Sequence, residues 1–503
     1  MRIRPLVVAL CALLAASVAL LRLNASDAGL VITKYHAGET PVTVFRLRDA
    51  PPGPVVAIAH GFAGSRPLMR GFATTLARNG YVATTFDFLG HGSNPRPLTG
   101  DLTDPDGATR RLVDELAEVV ARVAASPHGD GRLAVLGHSM AGDVIVRFAR
   151  AHPEVAATVA VSMFSPAVTA SEPRNLLMIA GDWEAGLKAE ALRALRLAAG
   201  EDAVAGRTYG AFGDGSARRV AFAPHAEHIG VLYSPAAMAE ALGWLNATFG
   251  HSGSGYVDAR GPWVLLLIGA MTALGAPLSR LLPRVTAAGQ GAGLRGARLI
   301  LAGLGPMLAT PLILSQIHVR FLPVVVGDYL AMHFALYGFL TALGLWLAGA
   351  RAPRRDVRWA ALAFAALAVG AYAFAGIGLP IDAYVSSFMP VPARLPLMAA
   401  LLAGTIPYFL ADEWLTRGPD APRWSYGASK LCFLLSLGGG VALDPPRLFF
   451  LLILAPALTL FFIVFGLFSA WACRRTLHPF VGGLANAAMF AHAIAATFPM
   501  VAG

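Results

Sequence analysis

At 503 residues, 56% hydrophobic and only 14% charged, the chain is long enough for two or more domains and too apolar for an ordinary soluble pair. The net charge of +10 is almost wholly arginine, because Lys34, Lys188 and Lys430 are the only lysines; most arginines outside the mixed-polarity region flank apolar runs, which marks membrane topology and argues against nucleic-acid binding. Cys11, Cys432 and Cys473 lie in or beside apolar segments, which leaves no disulfide framework and no Cys/His metal cluster, and no cofactor is expected.

In chain order, residues 7–21 form an apolar run behind "MRIRP", and Arg22 interrupts the small-residue region that a signal peptidase needs. Residues 1–25 therefore read as an uncleaved signal-anchor, with a cleaved signal peptide as the alternative; either exports the segment behind it. Residues 26–254 are of mixed polarity. Strand-like "PVVAIAH", "YVATTFD", "RLAVLGH", "VAATVAVS", "NLLMIAG" and "RRVAFAP" succeed one another there, and an amphipathic helical stretch comes after each of the first three. That alternation implies a mainly parallel sheet with helices on both faces, its functional groups at the carboxyl ends of the strands.

One of those ends, "VLGHSMAGDVIV" (135–146), reads as strand, tight turn and helix start, a geometry that pushes the Ser139 hydroxyl into the open. With "HGFAGS" (60–65), "DFLGHGSN" (87–94) and "PHAEHIGVLYSP" (224–235) it resembles the α/β-hydrolase superfamily, in its serine esterase, lipase and peptidase branch. The resemblance covers under half the chain. It implies Ser139 as nucleophile and His228 as base, with His225 a rival, and an acid within "IAGDWE" that is Glu184 or Asp182. The oxyanion donors it implies are the amides of Met140 and Phe62. His60, His91 and His138 are expected to pack or to hydrogen-bond loops. Ala141 departs from the pattern, which has glycine there, and predicts a strained but competent turn. Only "SPAVTASEPR" separates the strand 155–162 from the next, which leaves no room for a helical cap.

Residues 255–503 carry apolar runs near 263–280, 299–317, 322–349, 359–380, 395–411, 428–443, 448–472 and 479–501, each about long enough to cross a ~30 Å hydrocarbon layer. About eight spans are expected, the 428–443 run being short enough to be re-entrant instead. Arginine-rich loops (280–298, 351–358, 417–430, 474–475) alternate with loops holding a single arginine: Arg320, Arg394 or Arg447. The positive-inside rule makes the rich loops cytoplasmic and the 26–254 domain extracytoplasmic. Asp328, His333 and Tyr337 fall in one span, where polar groups either bond between helices or serve a function. Asp412 and Glu413 are expected to mark a cytoplasmic helix end, and "SLGGG" (436–440) to permit close helix packing.

The expected protein is a serine hydrolase of a bacterial inner membrane, acting from the periplasmic side on an acyl ester of a lipid or lipid-linked substrate. Membrane lipids are its expected partners. A transporter or channel for a lipid-like solute with a degenerate hydrolase domain, or an envelope scaffold, are the alternatives.

Overall fold

The computed structural model describes residues 3–101, 104–317, 320–354 and 356–502, so Arg355 of the arginine-rich loops lies outside the described residues. The chain forms two compact units. One comprises Val18–Leu265 together with two returns, Ile381–Ser387 and Pro499–Gly503; the other comprises Met1–Ser17, Leu266–Pro380 and Phe388–Phe498.

The first unit is built on a nine-stranded sheet. Its strands are β1 (Leu30–Ala37), β2 (Thr40–Leu47), β3 (Gly53–Ala59), β4 (Val82–Phe86), β5 (Gly129–His138), β6 (Val155–Val161), β7 (Leu176–Gly181), β8 (Thr208–Tyr209) and β9 (Arg218–Ala223), in the order β1-β2-β4-β3-β5-β6-β7-β9-β8. The six central strands from β4 to β9 are parallel, and β1, β2 and β8 pair antiparallel at the edges. The parallel strands are buried on both faces, so they read as continuous Val/Ala/Ile/Leu runs. Alternation along β3 divides the core: Val55, Ala57 and Ala59 join the cluster that includes Leu116, Ile145 and Leu195, while Val56 and Ile58 join the one that includes Phe72, Met238 and Leu245. Helices Arg110–Ala124, Met140–Ala151 and Ala185–Ala199 thus cover one face, and Arg70–Arg78 and Pro235–Phe249 the other. No helix is inserted between β6 and β7.

The two returns finish loops at the carboxyl edge of this sheet. The Ser387 N–H donates to Ser65 Oγ at 2.7 Å, and the Ser65 and Ser386 hydroxyls lie 3.0 Å apart. In the other return, Met500 N–H donates to Gly90 O (2.8 Å), Leu98 N–H to Met500 O (2.9 Å) and Ala502 N–H to Leu98 O (2.9 Å). A Cβ on Gly90 would collide with the Met500 carbonyl, so glycine is required for the approach.

Among the described residues nine helices are long and apolar enough to cross a membrane: Pro5–Ser26 and eight from Gly261–Leu281 to Phe480–Thr497. Ser425–Leu443 is a continuous helix of 19 residues, of spanning length and not a shorter re-entrant piece. In the second unit the arginine-rich loops converge on one end. Gln290 N–H donates to Leu477 O (3.0 Å), Ala292 N–H to Trp414 O (2.9 Å) and Arg358 N–H to Val285 O (3.0 Å), and His478 Nε2–H to Pro353 O (2.8 Å).

Several polar groups inside these helices are paired. Asp328 accepts from the N–H groups of Phe321 (2.8 Å) and Leu322 (2.6 Å), and the ring of buried His333 lies 3.3 Å from the Tyr329 hydroxyl. A Cβ on Gly440 would strike that same hydroxyl, so the "SLGGG" run does admit close helix packing. Asp412 and Glu413 lie near the end of Leu395–Thr416, the helix end they were expected to mark. They are buried near their helix end, Asp412 paired with Lys430 and with Ser429 Oγ (2.6 Å), Glu413 with Arg417 (3.0 Å) and Ser469. Lys430 comes from the neighbouring helix Ser425–Leu443 and Arg417 from the end of the same helix, and these counter-charges make burial tolerable.

Candidate active site

β5 ends at His138, and the next residue turns the chain into the helix Met140–Ala151. Ser139 occupies that turn at φ 55°, ψ −119°, a conformation that L-residues rarely adopt. It is held from both sides: Ser139 N–H donates to Val161 O and its carbonyl accepts from Gly142 N–H, both at 2.8 Å. Small neighbours permit the turn. A Cβ on Gly137 would stand 2.7 Å from Ala141 O, and one on Gly142 would collide with Met163 Cβ. Ala141 itself is fully buried in the core. After the serine, the position that tolerates no side chain is thus Gly142, one residue beyond the place where glycine was expected, and alanine at 141 fits.

His228 lies in the loop after β9. Its Nε2 is 2.9 Å from Ser139 Oγ and its Nδ1 2.6 Å from Glu184 Oε1. Glu184 stands just beyond β7, and its other oxygen accepts from Ser162 Oγ (2.6 Å) and Gly181 N–H (2.7 Å). Burial pushes the Glu184 carboxyl up, but these donors together with His228 outweigh it and hold the group below the ordinary carboxylate range. Because a carboxylate only accepts, His228 donates from Nδ1, and Nε2 is left to accept from the serine hydroxyl.

The structure brings Ser139, His228 and Glu184 together and leaves Asp182 out. Asp182 is partly exposed, with Lys188 Nζ at 3.4 Å. His225 is also excluded, on the surface of the same loop. Met140 is the first residue of its helix, so its amide is among those with no intrahelical acceptor. Phe62 comes directly after Gly61, where a Cβ would be 2.9 Å from Ser139 Cβ; the loop carrying the Phe62 amide therefore runs against the serine.

His138 hydrogen-bonds a loop, as expected, but that the loop is the one carrying the base was not foreseen. Its ring is buried, and Nε2–H donates to the backbone carbonyl of His228 at 2.9 Å, tying the serine's neighbour to the base. Burial and the nearby His228 lower the His138 pKa to about 3, so the ring is neutral and keeps this proton on Nε2. His60 bonds Gly61 O (2.8 Å) and accepts from Phe88 N–H (3.1 Å), and His91 bonds Leu89 O (2.8 Å), which makes both loop organisers. Buried Asp87 joins these loops through Arg66 (3.1 Å) and Ser93 (2.8 Å). Around the three grouped side chains stand exposed apolar ones: Phe164, Trp183 and Ile229 are 63%, 68% and 40% exposed.

Residues 50–205 match the family model described as serine aminopeptidase, S33. Similar solved structures include a CIB-like hydrolase from Thermoplasma acidophilum (12% identity, 44% of this chain and 98% of that one, TM-score 0.34). Others are a dienelactone hydrolase from Anabaena variabilis (19%, 44% and 98%, 0.31) and a bacterial membrane phospholipase A (13%, 47% and 93%, 0.33). No curated protein matches the chain. With its parallel sheet wrapped by helices on both faces, its serine in a strand-to-helix turn and the match over residues 50–205, the chain has an α/β-hydrolase fold, followed by a helical apolar region.

Proposed function

We propose that this chain is a serine hydrolase of a bacterial inner membrane that cleaves or transfers an acyl ester of a lipid or lipid-linked substrate. Residues 26–254 form its extracytoplasmic hydrolase domain and 255–503 its membrane domain. The observation that carries the reading is the continuous relay from Ser139 Oγ through His228 to Glu184 at 2.9 and 2.6 Å. Ser139 Oγ attacks the ester carbonyl while His228 Nε2 takes its proton, and Glu184 stabilises the resulting imidazolium. The oxyanion is received by the Met140 and Phe62 amides. His228 then returns the proton to the departing alcohol, and water or an acceptor hydroxyl releases the acyl group from Ser139.

The lipid class is supported by the exposed Phe164, Trp183 and Ile229 beside the relay and by the nine helices of membrane-spanning length among the described residues. The side of the membrane is read from charge. The helix Gly261–Leu281 leads from the hydrolase unit to the arginine-rich loops, which the positive-inside rule makes cytoplasmic.

Labelling of the detergent-solubilised protein with a fluorophosphonate tests the chemistry. Wild type labels, and Ser139→Ala and His228→Ala do not; an unlabelled wild type in several lipid mixtures refutes it. The envelope lipids of cells carrying Ser139→Ala then test the substrate class, and a profile identical to wild type refutes that part. A second reading, transport of a lipid-like solute, draws on the buried Asp412–Lys430 pair inside the helical unit. It requires Asp412→Asn to abolish function while Ser139→Ala leaves it intact.

A further inference from the structure

The end of the helical unit where the arginine-rich loops meet encloses a cavity of about 630 Å³, distant in chemistry from the serine site. Its polar lining comprises Arg417, Arg423, Arg474, Gln290 and Tyr426. These come from the C-terminal ends of Leu395–Thr416 and Phe450–Thr476, the start of Ser425–Leu443, and the loop before Gly296–Leu314. Arg417 is committed to the protein: it bonds Glu413 Oε2 (3.0 Å) and Gly466 O (2.8 Å) and lies 4.0 Å above the Tyr426 ring. Arg423 and Arg474 are exposed, and among the described residues neither stands in an ion pair. The nearby acids are engaged elsewhere, Glu413 with Arg417 and Asp420 with Arg295 at 3.2 Å. Two guanidinium groups therefore face one cavity with no protein anion to balance them.

Below the cavity the helices offer apolar tracks. Leu460, Ile463 and Leu467 are exposed and precede Arg474 at helical spacings of three, four and seven, so they line the same face of Phe450–Thr476. On Ser425–Leu443, exposed Leu431 and Leu435 are one turn apart, beneath an exposed Trp424 that adjoins Arg423. A basic pocket at helix ends, a tryptophan at the same level and apolar tracks running away from it match an amphiphile whose charged end is anionic. A soluble anion would use the arginines but not the tracks.

We infer that this cavity binds the phosphate-bearing headgroup of an anionic phospholipid, whose acyl chains lie along Leu460, Ile463 and Leu467 and along Leu431 and Leu435. Arginine suits the task because its planar donors match phosphate oxygens in pairs.

The test is thermal unfolding of the full chain in neutral detergent with added phosphatidylglycerol, phosphatidylcholine or inorganic phosphate, for wild type and Arg423→Gln/Arg474→Gln. Phosphatidylglycerol at saturation raises the wild-type midpoint by roughly 5 °C, and the double variant loses at least half of that rise. Its midpoint in phosphatidylcholine equals wild type, because both side chains are exposed. Equal effects of the two lipids, or an undiminished response of the double variant, overturn the site. Inorganic phosphate producing the whole shift overturns the lipid assignment. A charge-retaining Arg423→Lys/Arg474→Lys variant keeps more of the response than the glutamine pair, and equal loss in both overturns an electrostatic headgroup contact.

Discussion

Glutamine at position 184 is nearly the same size as the glutamate it replaces, yet it has only one acceptor oxygen. Glu184 Oε2 serves two donors, Ser162 Oγ at 2.6 Å and Gly181 N–H at 2.7 Å, and Oε1 serves His228 Nδ1–H at 2.6 Å. In Glu184→Gln the oxygen stays with the two donors, so the amide NH₂ turns toward Nδ1. His228 must then accept at Nδ1 and carry its proton on Nε2, where it can no longer take the proton of Ser139. The corresponding change in a serine protease triad lowers kcat by about 10⁴, which at about 1.36 kcal/mol per decade is roughly 5 kcal/mol of transition-state stabilisation. A loss of that order in kcat, with KM little changed, is expected for a short-chain p-nitrophenyl ester in detergent micelles, with a parallel fall in the rate of fluorophosphonate labelling. Asp182→Asn is the control. Its carboxylate meets only Lys188, at 3.4 Å and partly exposed, so activity should stay within about twofold, as for a surface ion pair. Retention of a tenth or more of wild-type activity by Glu184→Gln, or an equal fall in Asp182→Asn, refutes the assignment.

His138→Leu removes the donor to the His228 carbonyl and is expected to lower kcat about fivefold, the equivalent of about 1 kcal/mol. His138→Gln, which can offer an N–H near the same point, should recover much of this, and equal losses in both would show that the bond does not position the base. Gly142→Ala forces a Cβ into Met163 and should destabilise the hydrolase unit by about 1–3 kcal/mol in a thermal melt, whereas Ala141→Gly should change little beyond its helix propensity, about 1 kcal/mol. Burial alone would raise the Asp87 carboxyl, but Arg66, His60 and the N–H groups of Arg66 and Ser93 hold it below its ordinary 3.8. Since the folded value is the lower one, Asp87 contributes stability fully above about pH 4 and loses that contribution as pH falls through the folded value. Melting midpoints of wild type and Asp87→Asn should therefore converge as the pH falls below about 4, and a gap independent of pH contradicts the ionised pair.

Ser139 and His228 were legible because their chemistry is written into local chain geometry: a nucleophile between small residues at a strand end, a histidine in the loop after the last parallel strand. The acid was not resolved. Asp182 and Glu184 both leave the tip of β7, and the choice depends on a turn in which Trp183 N–H reaches Ala226 O (3.1 Å) and Glu184 N–H folds back on Gly181 O (3.0 Å). That turn sends the longer side chain toward His228. The part played by His138 was invisible because its partner is a backbone carbonyl ninety residues away, a contact that leaves no mark on residue type. The parallel core was readable from its apolar runs, whereas the β1–β2 hairpin, whose first strand is buried only at its two ends, was not singled out. Arginine alternation foretold which loops share an end of the helical unit. It could not foretell that Arg394, buried, would instead bond the Ala495 and Phe498 carbonyls at 2.6 and 2.8 Å, closing the last helix.

Residues 499–502 hydrogen-bond the 90–98 loop, which the ribosome delivers roughly 400 positions earlier. At about 5–20 residues per second, that loop waits roughly 20–80 s for its partner, during which all the helices from Gly261–Leu278 to Phe480–Thr497 must be made. The early-translated domain is thus completed by late-translated chain. Its final ordering waits for those last residues, so a ribosome stalled before the last helix leaves a sheet with its strands in place and the rim beside Gly90 and Leu98 unfinished.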